Sequence, residues 1–464
     1  MQPDSRDFWF LPLGGTGEIG MNLNLYGHAG RWLMVDCGVT FAKEGQPGPH
    51  VQMADPAFIT ARRKDLVALL VTHAHEDHVG AVAHLWRRLR CPVITSRFTA
   101  AVLARKLAEA GLTGRVPITE VEAGARIDVG PFNVEWLRLT HSIPEAHALM
   151  IRTPVARVLH TGDWKLDPDP VVGAAPVAAR FQALAEEGID AMVCDSTNAM
   201  VSGHSISEGA LRPGLEKVVA EATGRVIVTA FGSNIARLHT LAQVAKATGR
   251  HFTVLGRSLE NMVAAARTSG LWRPERDPVS AAELGYLPRH EILVVATGSQ
   301  GDPGAALDRL ARATHPVLEL EAGDRVVFSS RVIPGNERTL ERLMRQLERR
   351  RVDVVTAEDA LIHASGHPCE DELRTLYGWV QPRIAIPVHG EPPHLGAHAR
   401  IARSCGVPVQ LVGRNGDLFM IAPVPGMRPD QAPCGRIGLG SEGLETLPCQ
   451  RPERPNMSRS VVSE

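Results

Sequence analysis

Three histidines and two acids fall within six consecutive residues, His73, His75, Glu76, Asp77 and His78, in the run Leu-Leu-Val-Thr-His-Ala-His-Glu-Asp-His-Val-Gly at 69–80. Imidazole nitrogen and carboxylate oxygen suit zinc, with manganese as the alternative where oxygen ligands and water complete the set. The run starts as an apolar strand and turns polar at its carboxyl end. If residues 72–75 stay extended, His73 and His75 point to one side and share one metal. A turn at Glu76 then presents Asp77 and His78 at the start of a helix, where a second metal sits.

Other ligand types lie where predicted strands stop. His141 ends an apolar run at 134–140, Asp163 follows 158–162, and His389 follows 384–388 in Pro-Val-His-Gly-Glu. A common sheet edge would gather all seven. Two divalent ions about 3.5–4 Å apart lower the pKa of a bridging water and clamp the attacked oxygen. The expected chemistry is hydrolysis by metal-activated hydroxide, with Asp163 as the bridging carboxylate and no Ser or Cys nucleophile. Asp36 and Asp195 also end strands, where each either orients a ligand imidazole or caps the following turn. Glu76 either assists proton transfer or caps its helix.

Stepping from ligands to scaffold, residues 22–26, 31–36, 66–72, 133–140, 148–152, 157–161 and 191–195 read as short strands, with helices at 80–90 and 99–110. This predicts packed sheets covered by helices. After Ile206 strands and helices alternate: helices at 208–223, 235–248, 259–268, 303–313 and 337–349, strands at 225–230, 251–255, 291–296 and 325–329. That rhythm predicts a parallel-sheet α/β module. Strands at 352–356, 383–388 and 407–411, with helices at 370–380 and 395–405, follow it. Because His389 lies beyond the module and its partners lie before residue 164, the module must be an insertion. The expected division is 1–206 for the first part of the metal domain, 207–352 for the insertion, 353–422 for the returning part, and 423–464 for an extended or disordered tail rich in Pro, Gly, Arg and Ser.

The 464-residue chain is 44% apolar and 22% charged, ordinary for a globular protein. A net charge of -1 means that any polyanion site must be local. Nearly all the positive charge is Arg, with six Lys. Seven scattered Cys without a CxxC pair predict buried thiols and a cytoplasmic, reducing compartment. The amino terminus does not resemble a secretory segment, and no apolar run reaches the about 18 residues of a membrane span. Gly14, Gly15, Gly17 and Gly20 superficially suggest a nucleotide loop, but a strand follows where that loop needs a helix, so tight turning is the better reading.

The hexad at 73–78 resembles the signature of the metallo-β-lactamase fold, and further segments resemble the bacterial ribonuclease J family of β-CASP nucleases. These are Leu-Gly-Gly-Thr-Gly-Glu-Ile-Gly-Met-Asn (13–22), Thr-His-Ser-Ile-Pro-Glu (140–145), His-Thr-Gly-Asp-Trp-Lys (160–165), Asp-Ser-Thr-Asn-Ala (195–199), Phe-Gly-Ser-Asn-Ile-Ala-Arg (231–237), Gly-Arg-Ser (256–258), His-Ala-Ser-Gly-His (363–367) and Pro-Val-His-Gly-Glu (387–391). The resemblance implies an α/β architecture: a metallo-β-lactamase αββα sandwich with an inserted parallel-sheet β-CASP domain. It implies that His73, His75 and His141 hold one metal, that Asp77, His78 and His389 hold the other, and that Asp163 bridges. It further implies catalytic roles for Asp77, Asp163, Asp195 and His367, the last in proton transfer toward the leaving oxygen.

By the same resemblance the substrate is RNA, degraded from a 5′-monophosphate end with internal cleavage as a second activity. The phosphate would rest against Gly232, Ser233, Asn234, His363, Ser365, Gly366 and His367. On its own the 232–234 turn is either an anion site at a helix start or ordinary capping by Ser233 or Asn234. Ser365 and Gly366 argue against a regular helix joining His363 to His367. Gly232 stands where the family commonly has Ala, and the family's usual carboxyl-terminal domain is expected to be absent or reduced. A homodimer and partners in an RNA-degradation assembly are also implied, with no membrane association. The competing readings are a hydrolase of the same fold acting on DNA or on a small phosphate or thioester, and a catalytically weak RNA-binding subunit.

Overall fold

The computed structural model describes residues 1–42, 48–333 and 335–448. Its centre is a pair of facing sheets. One has eight strands, in the order Gly426–Arg428, Leu418–Ala422, Phe8–Gly14, Leu23–His28, Arg31–Val35, Leu66–Val71, Val93–Ser96 and Ile118–Val121. The other has seven, in the order Val409–Gln410, Ile384–Val388, Ala191–Asp195, Arg157–His160, His147–Arg152, Phe132–Arg138 and Arg126–Val129. Strand alternation sorts the side chains between layers. Ala68 and Leu70 face the inter-sheet core with Trp136, Leu149, Val193 and Ile386. Leu69 and Val71 face the other way, packing with Leu85 and Leu103 of the helices Val82–Leu89 and Arg97–Glu109. On the second sheet Met192 and Cys194 pack outward with Phe181, Leu373 and Ile401 of three covering helices. Burial on both faces explains why these strands read as unbroken apolar runs.

The inserted module is a five-stranded sheet, all parallel, in the order His251–Leu255, Ile292–Ala296, Val226–Thr229, Arg325–Phe328 and Asp353–Val355. The last strand corrects an expectation. The sequence pattern places it in the returning segment, yet it pairs with Arg325–Phe328 and closes the inserted sheet. A short apolar run carries no mark of which sheet will hydrogen-bond it.

The tail expectation is also corrected in part. Residues 423–448 contain the strands Gly426–Arg428, Arg436–Gly440 and Gly443–Leu447. Arg436–Gly440 pairs antiparallel with Val51–Ala54, and buried Ile437 sits opposite Met53. Gly and Pro here set tight hairpin turns between strands, and that composition resembles a flexible segment when the partner strand is out of view. The remainder of that segment, 449–464, lies outside the described residues.

A buried polar chain ties the insertion to the sandwich. Lys165 pairs with Asp167 at 2.9 Å, and the Glu208 amide donates to Asp167 at 2.9 Å. Glu208 in turn accepts from Arg237 Nε at 2.5 Å, on the helix Ile235–Ala247. Arg237, 1% exposed, also donates to the Ser329 and Ile362 carbonyls at 2.9 and 3.2 Å. Glu208→Ala would leave that guanidinium buried without its carboxylate. The expected loss is about 3–5 kcal/mol of unfolding free energy, measured by urea unfolding, and a loss below about 1 kcal/mol would show that the pair does not anchor the insertion.

Candidate metal centre

Strand register sets the site. His73 lies two residues beyond Leu66–Val71, and Asp163 three beyond Arg157–His160. His160 pairs with Val193, and Asp195 pairs with Val388, so Asp163, Asp195 and His389 emerge at one carboxyl edge. His389 and Asp36 both hold left-handed backbone, at φ +52° and +64°, an uncommon state for residues with side chains. The His389 amide donates to Gly15 O at 2.7 Å, and Gly15 has φ +83°. The glycine run is thus a turn that clamps His389.

Two groups of side chains converge. In the first, His75 Nδ1 lies 3.2 Å from His73 Nε2 and 3.0 Å from His141 Nε2. In the second, His78 Nε2 lies 3.2 Å from Asp163 Oδ2 and 3.6 Å from Asp77 Oδ2, and His389 Nε2 lies 3.2 Å from Asp77 Oδ2. Asp163 stands between the groups, with Oδ2 also 3.9 Å from His141 Nε2. All seven residues expected as ligands therefore meet in two sets that can each hold an ion.

Hydrogen bonds on the far side of His73, His78, His141 and His389 orient the near side of those rings. Asp36 Oδ2 accepts from His78 Nδ1 at 2.8 Å, and Gly366 O accepts from His141 Nδ1 at 2.5 Å. Thr72 Oγ1 donates to Asp36 and accepts from His73 Nδ1 at 3.0 Å. Thr197 Oγ1 donates to Asp195 at 2.7 Å and accepts from His389 Nδ1 at 2.9 Å. Each arrangement leaves Nε2 with its lone pair facing inward. Lone pairs aimed at one another repel unless a cation lies between them, so the donor set fits divalent ions. Ligand atoms about 3.3 Å apart are also what tetrahedral bonds of about 2.0–2.1 Å require.

The charge states divide along the same line. Burial lowers His75 to about 4 and holds His73 and His141 well below the usual histidine range. Burial also opposes charge on His78 and His389, but their carboxylate neighbours outweigh it and raise both well above that range. For Asp163 burial works upward, and His389 and His78 more than offset it, leaving the carboxyl low. In the metal-free protein a proton takes the lone pair that an ion would otherwise use.

Of the remaining candidates, Asp195 and His367 form a pair at 2.8 Å between Oδ2 and Nδ1. Ser365 Oγ accepts from Asn198 Nδ2 at 2.8 Å, and residues 363–367 are irregular backbone. A Cβ on Gly366 would lie 2.7 Å from the His141 ring and from Ser142 Oγ. Asn234 Oδ1 accepts from the Arg237 amide at 2.8 Å, which is helix capping. His363 is half-buried, with its Nδ1 enclosed and unpaired among the described residues. Glu76 neither caps its helix nor faces the centre; it pairs with Lys106 at 2.6 Å.

Sequence reasoning gave no role to Thr72, Thr197 or Asn22. Asn22 Nδ2 donates to Asp77 O at 3.0 Å and lies 3.1 Å from His78 Nε2. Asn22 and Thr197 lie inside the segments 13–22 and 195–199, and Thr72 adjoins the hexad at 73–78, so position in or beside a motif is the available signal.

The chain is similar to known proteins in sequence and in fold. The family model described as the beta-CASP domain of ribonuclease J matches residues 223–347, the metallo-beta-lactamase superfamily matches 20–186, and the Zn-dependent metallo-hydrolase RNA specificity domain matches 339–412. Ribonuclease J of Sinorhizobium meliloti is 46% identical over 432 residues, covering 92% of this chain and 77% of the relative. Ribonuclease J of Corynebacterium glutamicum is 39% identical over 397 residues, 85% of this chain and 55% of the relative. That of Mycobacterium tuberculosis is 38% identical over 409 residues, 87% of this chain and 73% of the relative. A crystal structure of a protein of unknown function from Enterococcus faecalis shares the fold, with a TM-score of 0.63 at 14% identity over 89% of this chain and 100% of that one.

Asp36 touches the centre only through His78 and Thr72, which makes it a test of ligand orientation. Asp36→Ala is expected to weaken divalent-metal binding about 10- to 100-fold, measured by chelator competition at neutral pH. Unchanged affinity would remove His78 from the ligand set.

Proposed function

Because the chain belongs to the ribonuclease J family, we propose that it is a metal-dependent ribonuclease, acting from the 5′-monophosphate end of RNA with internal cleavage as a second activity. The observation that carries this reading is the convergence of seven ligand-type side chains beside the Asp195–His367 pair. His73, His75 and His141 would hold one ion and Asp77, His78 and His389 the other, with Asp163 between them. Zinc suits this nitrogen-rich set best, with manganese as the alternative. When bound, such ions supply Lewis acidity that activates water and stabilises charge on phosphoryl oxygens.

The chain's own groups supply the rest. Burial opposes a proton on His367, but Asp195 outweighs it and raises the pKa above the ordinary histidine value. The Asp195 carboxylate thus favours the protonated His367 ring. With Nδ1 engaged by Asp195, the Nε2 proton remains to be given to the departing oxygen. Asp195 serves twice, because its Oδ1 also holds Thr197 under His389.

Selection of the terminal phosphate falls to the loop at Gly232, Ser233 and Asn234 with His363, Ser365 and Gly366. Asn234 Nδ2 approaches Glu208 at 3.5 Å, and the Glu208–Arg237 pair reaches the Ile362 carbonyl. The helix start and the 363–367 segment are thus joined through one buried pair. Burial holds His363 neutral at about 4, and its unpaired nitrogen is a polar atom awaiting a partner.

RNA labelled at both ends, carrying either a 5′ monophosphate or a 5′ triphosphate, separates the activities. Immediate mononucleotide release from the monophosphate alone is the expected result, and Asp163→Ala should reduce it to the level of a metal-free control. Internal products from both substrates would reassign the protein as an endonuclease. Cleavage of matched DNA without cleavage of RNA would overturn the reading.

A further inference from the structure

Asn198 is 2% exposed and uses its whole amide. Nδ2 donates to Ser365 Oγ at 2.8 Å and to His367 O at 3.2 Å, while Oδ1 accepts from Arg331 Nη1 at 3.1 Å. Only the amino group can satisfy the His367 carbonyl, so the amide orientation is determined and Oδ1 must face Arg331. Arg331 lies three residues beyond the strand Arg325–Phe328 of the inserted sheet. Its own carbonyl accepts from Gln300 Nε2 at 2.9 Å. One buried amide therefore joins an insertion arginine to the two residues that flank Gly366.

Several arginines of the insertion are paired with carboxylates. Arg237 pairs with Glu208, Arg225 with Asp324 and Glu321, and Arg325 with Asp353. Arg331 is exposed, and among the described residues no carboxylate pairs with it and its Nε and Nη2 make no hydrogen bond. Its charge is also felt at His363, whose pKa it lowers after burial and Arg237. A guanidinium held by one edge, with the other edge free, is organised for a bidentate anion at little further entropic cost.

We propose that Arg331 contacts a phosphate of bound single-stranded RNA, its guanidinium oriented by Asn198 so that the free edge closes on the strand running past Ser365 and His367. The inference rests on the ribonuclease reading. It adds a residue from the insertion that senses the strand's charge, next to the histidine that faces the leaving oxygen. The phosphate is either the 5′-terminal group or an internal linkage.

The test is fluorescence anisotropy of a single-stranded RNA oligonucleotide with the full chain in EDTA, which prevents cleavage, across a potassium chloride series. Arg331→Gln is expected to weaken binding about 5- to 10-fold at moderate salt. It should also reduce the slope of log affinity against log salt by about 0.7, the value for one phosphate on a single strand. Arg331→Lys should keep the slope and recover part of the affinity. Loss only with 5′-phosphorylated RNA identifies the terminal phosphate, and equal loss with 5′-hydroxyl RNA identifies an internal one. An unchanged slope and affinity in Arg331→Gln on both RNAs, with the wild type binding normally, overturns the proposal. A wild type that neither binds nor cleaves RNA overturns the ribonuclease reading and this inference with it.

Discussion

The parallel pairing of Ala191–Asp195 with Ile384–Val388 is the contact on which the rest of the site depends. Between those strands the chain leaves the sandwich, builds a complete five-stranded sheet, and comes back. Returning in parallel puts the carboxyl ends of both strands on one side, and the register of Asp195 against Val388 sets His389 beside Ser196 and Thr197. A slip of one residue would turn His389 to the opposite face of the sheet. Thr197 then locks the result, bonding Asp195 with its hydroxyl hydrogen and His389 with its oxygen. The left-handed backbone at His389 is held by that hydroxyl and by the Gly15 carbonyl, so local strain is maintained by bonds from two other segments.

Burial and charge act differently on the two ligand sets, and the reason is composition. His73, His75 and His141 form a set with nitrogen donors alone, so burial and mutual repulsion both favour neutral rings. His78 and His389 share their set with Asp77 and Asp163, whose negative charge outweighs the same burial. The first set offers neutral ligands at once; the second must release protons before it can bind an ion. Uptake of metal by the second set should therefore be the more sensitive to acid.

Ligands at strand ends were legible in the sequence because an apolar run that stops at a His or Asp marks both the element and its exposed edge. Most helices and strands were found for the same reason, as with His251–Leu255, Glu337–Arg349 and Glu370–Val380, whose observed limits equal those expected. What could not be read depends on partners distant in sequence. Asp353–Val355 gives no sign of its sheet, and Arg436–Gly440 pairs with Val51–Ala54 from the far end of the chain. Glu76 looked like part of the centre from spacing alone, whereas one turn of helix carries it to Lys106. Asn198 stood inside a recognised motif, but its work lies in three contacts at sequence separations above 130 residues.

Gly366 joins the proposed phosphate-binding segment to the metal-ligand candidates. Its carbonyl fixes the His141 tautomer, and the absence of a Cβ lets the chain approach that ring. The residue before it, Ser365, is held by Asn198, and the residue after it, His367, is held by Asn198 through its carbonyl and by Asp195 through its ring. Three consecutive residues thus touch the nitrogen-only ligand set, the amide that carries Arg331, and the acid that steadies His389. The Gly366 carbonyl lies in the peptide unit that follows the one joining Ser365 to Gly366, so only the two dihedrals of Gly366 separate it from the Ser365 carbonyl. Within that short span the Gly366 carbonyl meets His141 Nδ1, so the proposed phosphate-binding segment and a metal-ligand candidate share one stretch of backbone.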